Sequence, residues 1–551
     1  MRILKALPVA LAVLMTGCKL IPLCEVPGHE HKCAVDEESG ESGGETGGES
    51  GGDGDGDGDG DPGDGDGDDG TNLPPIIDTF TINGTTTPAS IEVASALDLL
   101  AVASDPDDDL ARVDFEASGE LLGSVSGAGP DFVLEWILSG AESNGDFTVT
   151  ATAYDAADNA SAPVEIDLDV AMPTGGTEVD QWTYDGGLLD AVYDVAVSPD
   201  GDQVLLVGQT STMNGSGQRV DRVVGSSWTD KVKPDSIAAA QVEWSEGTFV
   251  VAGSLFANMA LDTALYDYDE SGTVSQIWVF DGPKPELGNP EIIDTPNGLE
   301  RDSTGRFYVI GTYSPQSGPQ MGITASFLLA ATPAGDQEWL RWPTQDPAID
   351  GDPVLTEIAV SSTDTLAAIA TRDLGEPRMW VTRWNPDGQI TSELEVADGT
   401  ASEGHAIAFG EDGSLYIGGG VVTNGEVRSW MRKLDADDDT LWTAQPMQLG
   451  VGATAEIAVD PWGEVVAVST EDCSLNAGNL SDCDLVVRKY DSEGMLMWVE
   501  TWDTGNFVGQ LANLPGFDAS LAIDRFGYIY VTAVVYTVNT GTDWWARKLH
   551  P

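Results

Sequence analysis

Between residues 177 and 551 one pattern recurs seven times: an apolar segment, a short turn rich in Asp and Gly, and a β-branched segment that often ends on Gly. Ala196-Val-Ser-Pro-Asp-Gly201 leads into Val204-Leu-Leu-Val-Gly208, and Arg301-Asp-Ser-Thr-Gly305 leads into Phe307-Tyr-Val-Ile-Gly311. The turn positions 201, 247, 305, 364, 413, 463 and 527 lie 46 to 64 residues apart, and the fourth holds Asp364 where the others hold Gly. A repeat of this length has room for four short strands. It cannot cover both faces of its own sheet, so it must stack on its neighbours. The expectation is an all-β chain whose residues 177–551 form a seven-bladed β-propeller.

The second half of the repeat recurs too, as Trp430-Met-Arg-Lys-Leu-Asp435 followed by Trp442 and Val486-Val-Arg-Lys-Tyr-Asp491 followed by Trp498, with Trp278 and Trp339 as closing aromatics of earlier copies. In these residues the chain resembles the bacterial β-propeller repeat families. Asp491-Ser-Glu-Gly-Met-Leu-Met-Trp498 is also similar to quinoprotein-type repeats. That second resemblance implies eight blades and adjacent cysteines beside a quinone, and this sequence has seven copies and no adjacent cysteines. The last copy stops at Trp545-Ala-Arg-Lys-Leu-His-Pro551 without a closing strand, while Val179-Asp-Gln-Trp-Thr-Tyr-Asp185 precedes the first copy without a partner. Residues 179–185 are therefore expected to complete the seventh blade and close the ring.

Ahead of the repeats, residues 74–172 alternate in the manner of short strands: Thr79-Phe-Thr-Ile82, Leu99-Leu-Ala-Val102, Phe132-Val-Leu-Glu-Trp136 and Phe147-Thr-Val-Thr-Ala-Thr-Ala-Tyr154. Their spacing suits a small β-sandwich. The ending Tyr154-Asp-Ala-Ala-Asp-Asn159 resembles the last-strand region of bacterial immunoglobulin-like domains. Asp105, Asp107 and Asp109 could join Asp155 and Asp158 around Ca2+, as in some cadherin-like modules, or could serve only to make turns.

The first residues, Met1-Arg-Ile-Leu-Lys5 and the apolar run to Met15, read as an export signal over 1–17 that is too short to span a bilayer. Thr16-Gly17-Cys18 resembles the lipobox of bacterial lipoproteins, which implies that Cys18 is acylated and opens the mature chain. Lys19 in place of Asp implies the outer membrane within that family. Residues 18–35 hold a small loop in which Cys24 and Cys33 are expected to pair in an oxidising compartment. Cys473 and Cys483 are expected to form a second disulfide. A metal reading of the first loop, with His29 and His31 added, matches no known ligand spacing. Residues 36–73 form an acidic tether. Fifteen acidic residues and no basic one between Asp36 and Gly70 leave nothing to bury, so an extended chain is predicted.

Overall, 24 Lys and Arg against 93 Asp and Glu give a net charge of −69, which excludes nucleic acid as a partner by repulsion from phosphates. The membrane is expected to be reached through the lipid, and a protein or glycan ligand through the propeller. Within the repeats the only histidines are His405 and His550, and neither lies in a nucleophile, zinc or kinase motif. Aligning each repeat on its turn puts Asp194, Glu357 and Glu456 at one position, with Ala240, Gly298, Ala406 and Ser520 in the other copies. With His405 close by, these carboxylates could hold a cation in the channel. The reading is a non-enzymatic, lipid-anchored binding or scaffold protein of the bacterial cell envelope. The alternative is a cation-dependent lyase or hydrolase that uses the channel carboxylates.

Overall fold

The structure, a computed structural model, describes residues 72–551 apart from 139–143, 186–189, 213–214, 225–235, 246, 258–259, 270, 281–291, 316–324, 344–352, 374, 445–450, 477–478, 482, 504–518 and 538–540. Cys18, Cys24, Cys33, His29, His31 and the acidic stretch 36–70 lie outside the described residues. All the regular structure described is β-strand.

Strict alternation shapes the first module. In Ser95–Ser104 the side chains of Leu97, Leu99, Ala101 and Ala103 are buried and those between them are more exposed, as in a strand with one face on a core. Two sheets share that core. One runs Ile76–Ile82, Ser95–Ser104, Asp131–Leu138; the other runs Ala89–Ile91, Val164–Val170, Gly145–Asp155, Leu110–Ala117, Glu120–Ser126. Phe80 and Phe115 meet between them with ring centroids 6.0 Å apart.

From Glu178 onward the chain builds successive antiparallel sheets in the manner of a β-propeller. The first strands of the repeats are Asp190–Val197, Ser236–Ser245, Ile292–Arg301, Val354–Val360, Ser402–Phe409, Val451–Val459 and Ala519–Ile523, and the later strands of each repeat follow in chain order. Each first strand packs beside the next, and Ala519–Ile523 packs beside Asp190–Val197. The second and third repeats are also joined by one parallel bridge, Leu261 to Ile293.

The recurrent Asp-x-x-Gly has a local cause. In the turn after Val451–Val459, Asp460 Oδ1 accepts the amides of Trp462 and Glu464 at 3.0 and 2.9 Å, and Gly463 takes the left-handed φ of +83° that closes the turn. Asp491, before the fourth strand, does the same with Glu493 and Met495. A side-chain acceptor thus satisfies donors that the turn leaves over, and glycine takes a backbone conformation that costs other residues energy.

The closing tryptophans explain a second glycine preference. Trp442 lies over Gly494 of the following repeat, where a Cβ would come within 2.7 Å of the indole, and its Nε1 donates to Ser492 O at 3.0 Å. Trp339 covers Gly388 in the same way and donates to Pro386 O. Where Asp438 replaces the glycine, Ser392 stands in place of the tryptophan: Ser392 Oγ and Arg383 Nε donate to the Asp438 carboxylate at 2.7 Å each. The two changes fit together, since a side chain at 438 would collide with an indole. Trp278 departs from the expectation, being displaced two residues from this position, which Gln276 holds four residues after Gly272.

The ends of the repeat region meet as one sheet. Glu178–Tyr184 pairs antiparallel with Gly541–Leu549, placing Tyr184 opposite Trp544, Trp182 opposite Ala546 and Glu178 opposite Leu549. Trp182 does not take the repeat's closing position. Asp180 does, opposite Lys548, as Trp442 stands opposite Lys433. Nearby, His550 N donates to Thr177 O at 2.8 Å and Gly176 N to His550 O at 3.0 Å. The first module sits on this seam: Arg525 Nη1 is 3.0 Å from Glu135 Oε1, and Arg525 Nε is 2.7 Å from Asp200 Oδ1.

Deleting residues 178–184 should expose the edge of Gly541–Leu549 and remove the half-buried Trp182 and Tyr184, whose burial is worth about 2 kcal/mol each. A lower melting temperature together with concentration-dependent association in sedimentation is the expected outcome; removing residues 36–70 should produce neither.

Candidate functional site

Six of the seven inner strands share one irregularity. The antiparallel register slips between Val192 and Asp194, Ala239 and Gln241, Pro296 and Gly298, Leu355 and Glu357, Gly404 and Ala406, and Thr454 and Glu456. Such a bulge bends the strand and turns the residues around it away from the regular pleat. The bulged residues are Tyr193, Ala240, Asn297, Thr356, His405 and Ala455.

At this bulge polar side chains tie one repeat to the next. Asp194 is fully buried and accepts three hydrogen bonds: Val195 N of its own strand at 2.8 Å, Val242 N of the second repeat at 2.7 Å and Ser520 Oγ of the seventh at 2.7 Å. Asn297 Nδ2 donates to Leu355 O of the fourth repeat at 3.0 Å. Thr356 Oγ1 donates to Gly404 O of the fifth at 2.9 Å. An inner strand is the edge of its sheet, so its outward N–H and C=O groups need partners, and leaving one buried without a partner costs about 1–3 kcal/mol. Together these contacts link the seventh, first and second repeats, and the third, fourth and fifth.

Two sequence expectations are corrected here. The residue of the second repeat that matches Asp194 is Gln241, not Ala240, because the turn from Ser245 to Thr248 is one residue shorter than its counterparts and shifts an alignment anchored on glycine. And Asp194, Glu357 and Glu456 do not gather to chelate one ion. Among the described residues, the groups of three acidic side chains whose oxygens lie within 4.8 Å of one another are Asp105, Asp109, Asp155 and Asp185, Asp190, Asp543. The channel carboxylates do influence each other at longer range. Burial, first, and then Glu357, Asp194 and Glu300 push the Glu456 carboxyl well above the usual carboxylate range, with the Ser520 hydroxyl partly offsetting this. Burial and its acidic neighbours thus favour the protonated form of Glu456. His405 is buried at its bulge with Glu403 3.9 Å away, and burial lowers its pKa to about 4, so it is a neutral imidazole. His550 packs at a tilt against Tyr528 and is lowered by burial and by Lys548.

In the first module the structure brings together only part of the expected Asp set. Asp105, Asp109 and Asp155 converge. Asp158 instead pairs with Arg112 at 2.6 Å, and Asp107 Oδ2 accepts Leu73 N at 2.6 Å. Burial and the charges of Asp105, Asp155 and Asp107 raise the Asp109 carboxyl. Asp155 is lowered, because the amides of Ala157 and Asn159 and the side chains of Asn159 and Asn72 outweigh its burial. Asn297 and Thr356 were missed as links between repeats by sequence reasoning. Asn297 and Thr356 both lie eight residues before their turn positions 305 and 364, one further than Asp194 from Gly201, and their shared role appears only once the bulge is seen. Cys473 and Cys483 are disulfide-bonded and tie the connection between the second and third strands of the sixth repeat.

No protein-family model matches the chain, and no curated protein matches it. Among solved structures, the fibronectin(III)-like modules of Clostridium thermocellum CbhA are similar at 29% identity over 17% of this chain and 98% of theirs, with a TM-score of 0.15. A protein of unknown function from Dyadobacter fermentans is similar at 8% identity over 68% of this chain and 98% of its own, with a TM-score of 0.42. The α-L-arabinanase of Penicillium chrysogenum, solved with arabinobiose, is similar at 10% identity over 69% of this chain and 99% of its own, with a TM-score of 0.40.

The raised Glu456 makes a signed prediction. A carboxyl whose folded pKa exceeds its unfolded value stabilises the fold below the unfolded value, and that benefit is lost as pH rises through the interval between the two. Glu456→Gln should thus leave the melting temperature unchanged near pH 4 and raise it progressively above pH 5, as read by calorimetry against the parent.

Proposed function

We propose that the chain is a lipoprotein of the bacterial cell envelope, anchored through Cys18, most simply in the outer membrane, that presents a seven-bladed β-propeller as a binding or scaffold platform without enzymatic chemistry. An immunoglobulin-like sandwich and an acidic tether connect platform and lipid. One observation carries this reading: Asp194, placed where a channel cation could have been held, is committed to the seventh, first and second repeats at once. The polar groups of the inner ring support rigidity, and a rigid ring with a sandwich seated on its seam suits display. The ligand expected for such a platform is a protein or a glycan.

Ca2+ belongs to this reading at one place. The convergence of Asp105, Asp109 and Asp155, with Asp109 raised by burial and by its neighbours' charge, favours a cation there to relieve the repulsion. The site lies where Asn72 and Leu73 enter the module, with Asn72 Nδ2 3.0 Å from Asp155 Oδ2. A bound ion would stiffen the junction between tether and sandwich.

Cys18→Ala should abolish acyl labelling and release the protein from the membrane fraction, whereas cross-linking of the unaltered protein in intact cells should capture a discrete partner. A mutant still on the membrane would refute the anchor; a protein that cross-links to nothing would refute the platform. Purified protein should melt several degrees higher in millimolar CaCl2 than in chelator, and Asp109→Asn should abolish that difference.

A further inference from the structure

We infer that Lys489 and Asp460 of the sixth repeat condense into an intramolecular amide, with the neighbouring Glu464 carrying the protons, so that the turn after Val451–Val459 becomes covalently tied to the strand Asp484–Tyr490 of the same sheet.

The three side chains form one sealed group. Lys489 Nζ lies 3.0 Å from Asp460 Oδ2 and 2.7 Å from Glu464 Oε2. The side chains of Lys489 and Asp460 are 2% and 1% exposed, and both Asp460 Oδ2 and Glu464 Oε2 are shielded from water. Asp460 is also held from its other side, since its Oδ1 accepts the amides of Trp462 and Glu464 at 3.0 and 2.9 Å. An amine, a carboxyl and a second acid thus meet in place, with two backbone donors on the oxygen that takes up charge when the carboxyl is attacked.

Other repeats are built differently at this turn. In the third and seventh, a tyrosine of the second strand occupies the second oxygen of the turn aspartate: Tyr308 Oη donates to Asp302 Oδ2 at 2.9 Å, and Tyr530 Oη to Asp524 Oδ2 at 3.1 Å. Lys548 stands opposite Tyr530 as Lys489 stands opposite Val466. Valine has no hydroxyl, so Asp460 Oδ2 is left to the lysine. The seventh repeat has Tyr528 where the sixth has Glu464, directly after the turn glycine, and its Lys548 Nζ is 4.0 Å from Asp524 Oδ2. In the fifth repeat Gly410 replaces the aspartate, and Lys433 reaches the exposed Asp412 instead. Of these lysine-bearing repeats, the sixth combines the amine, a buried aspartate and a second acid.

The resting group is an ion pair. Burial works against the Lys489 ammonium, but the charges and hydrogen bonds of Asp460 and Glu464 outweigh it and raise the lysine. Burial, opposed by Lys489 and aided by Asp460, raises the Glu464 carboxyl and favours its protonated form. Passing a proton from Lys489 Nζ to Asp460 Oδ2 cancels two buried charges and removes the cost of holding them away from water. The neutral amine then attacks Asp460 Cγ. The C–N bond forms while an electron pair of the carbonyl moves onto Oδ1, between the two amides. Glu464 gives its proton to the Oδ2 hydroxyl, which leaves as water when the C–O bond breaks, and takes one proton from Nζ. The products are an amide and one water, Glu464 ends as it began, and nothing is oxidised or reduced.

The test uses the purified full-length chain, reduced and unfolded, and a protease that cleaves after lysine. The parent should give residues 434–548 as one fragment, uncut at Lys489 because an amidated lysine is not recognised, and lighter than its sequence by one water. Lys489→Arg should give the same fragment at its full mass. Glu464→Gln, which keeps the amine and the aspartate, should give mainly residues 434–489 and 490–548. Should either variant fail to fold, the cleavage and mass of the parent fragment still decide whether the bond exists. A parent cut at Lys489 into two fragments of full mass would overturn the inference, as would a Glu464→Gln variant linked as completely as the parent.

Discussion

The contact on which the rest of the structure depends is the one that joins the two ends of the repeat region. A row of stacked sheets left open exposes a sheet face and a strand edge at each end, and both invite association. Here the first and seventh repeats meet at three depths. Asp194 and Ser520 join them at the inner strands. Further out, Tyr530 Oη donates to Asp524 and also contacts Gly201 O. At the periphery, Glu178–Tyr184 completes the sheet of Gly541–Leu549. Since Asp194 also reaches Val242 in the second repeat, loss of that one carboxylate would leave buried amides of two repeats unpaired.

The first module acquires its meaning from this seam. Its core is continuous with the side chains of Val192, Tyr528 and Trp544, and Arg525 bridges it to both flanking turns. The turn that carries Arg525 is anchored by Asp524, whose carboxyl is pushed up to about 6 by burial against the opposing influence of Lys548 and the hydrogen bonds of Tyr528 and Tyr530. The first module therefore braces the two turns that flank the seam. This differs from a bead on a string, where a flexible linker would let the module and the repeats move independently.

Much of the fold was legible in the sequence because its determinants are local. Asp460 and Gly463 announce a turn that Asx hydrogen bonding and a left-handed glycine require wherever they occur. The unpartnered Val179–Asp185 segment pointed to its pairing with the last strand because a strand must pair with something. The candidate site was less legible. The carboxylate at 194 was visible, but its partners, Val242 and Ser520, lie 48 and 326 residues away, and their approach depends on bulges that no local pattern marks. The Gln241 alignment failed for a related reason, since a one-residue change in turn length moves every position counted from the glycine. The Ca2+ set was half legible: Asp105, Asp109 and Asp155 converge, whereas Arg112 and the Leu73 amide draw Asp158 and Asp107 to other work.

If the seam is what makes the ring one cooperative body, native-state hydrogen exchange of the intact chain measures this directly. The amides of 178–184 and 542–549 should exchange with the same opening free energy as those of Val195 and Val242 in the inner strands, because none can open without the others. Amides of 178–184 that exchange orders of magnitude faster than the inner strands, through an opening of their own, would show that the closing strand is an accessory, and would contradict the account.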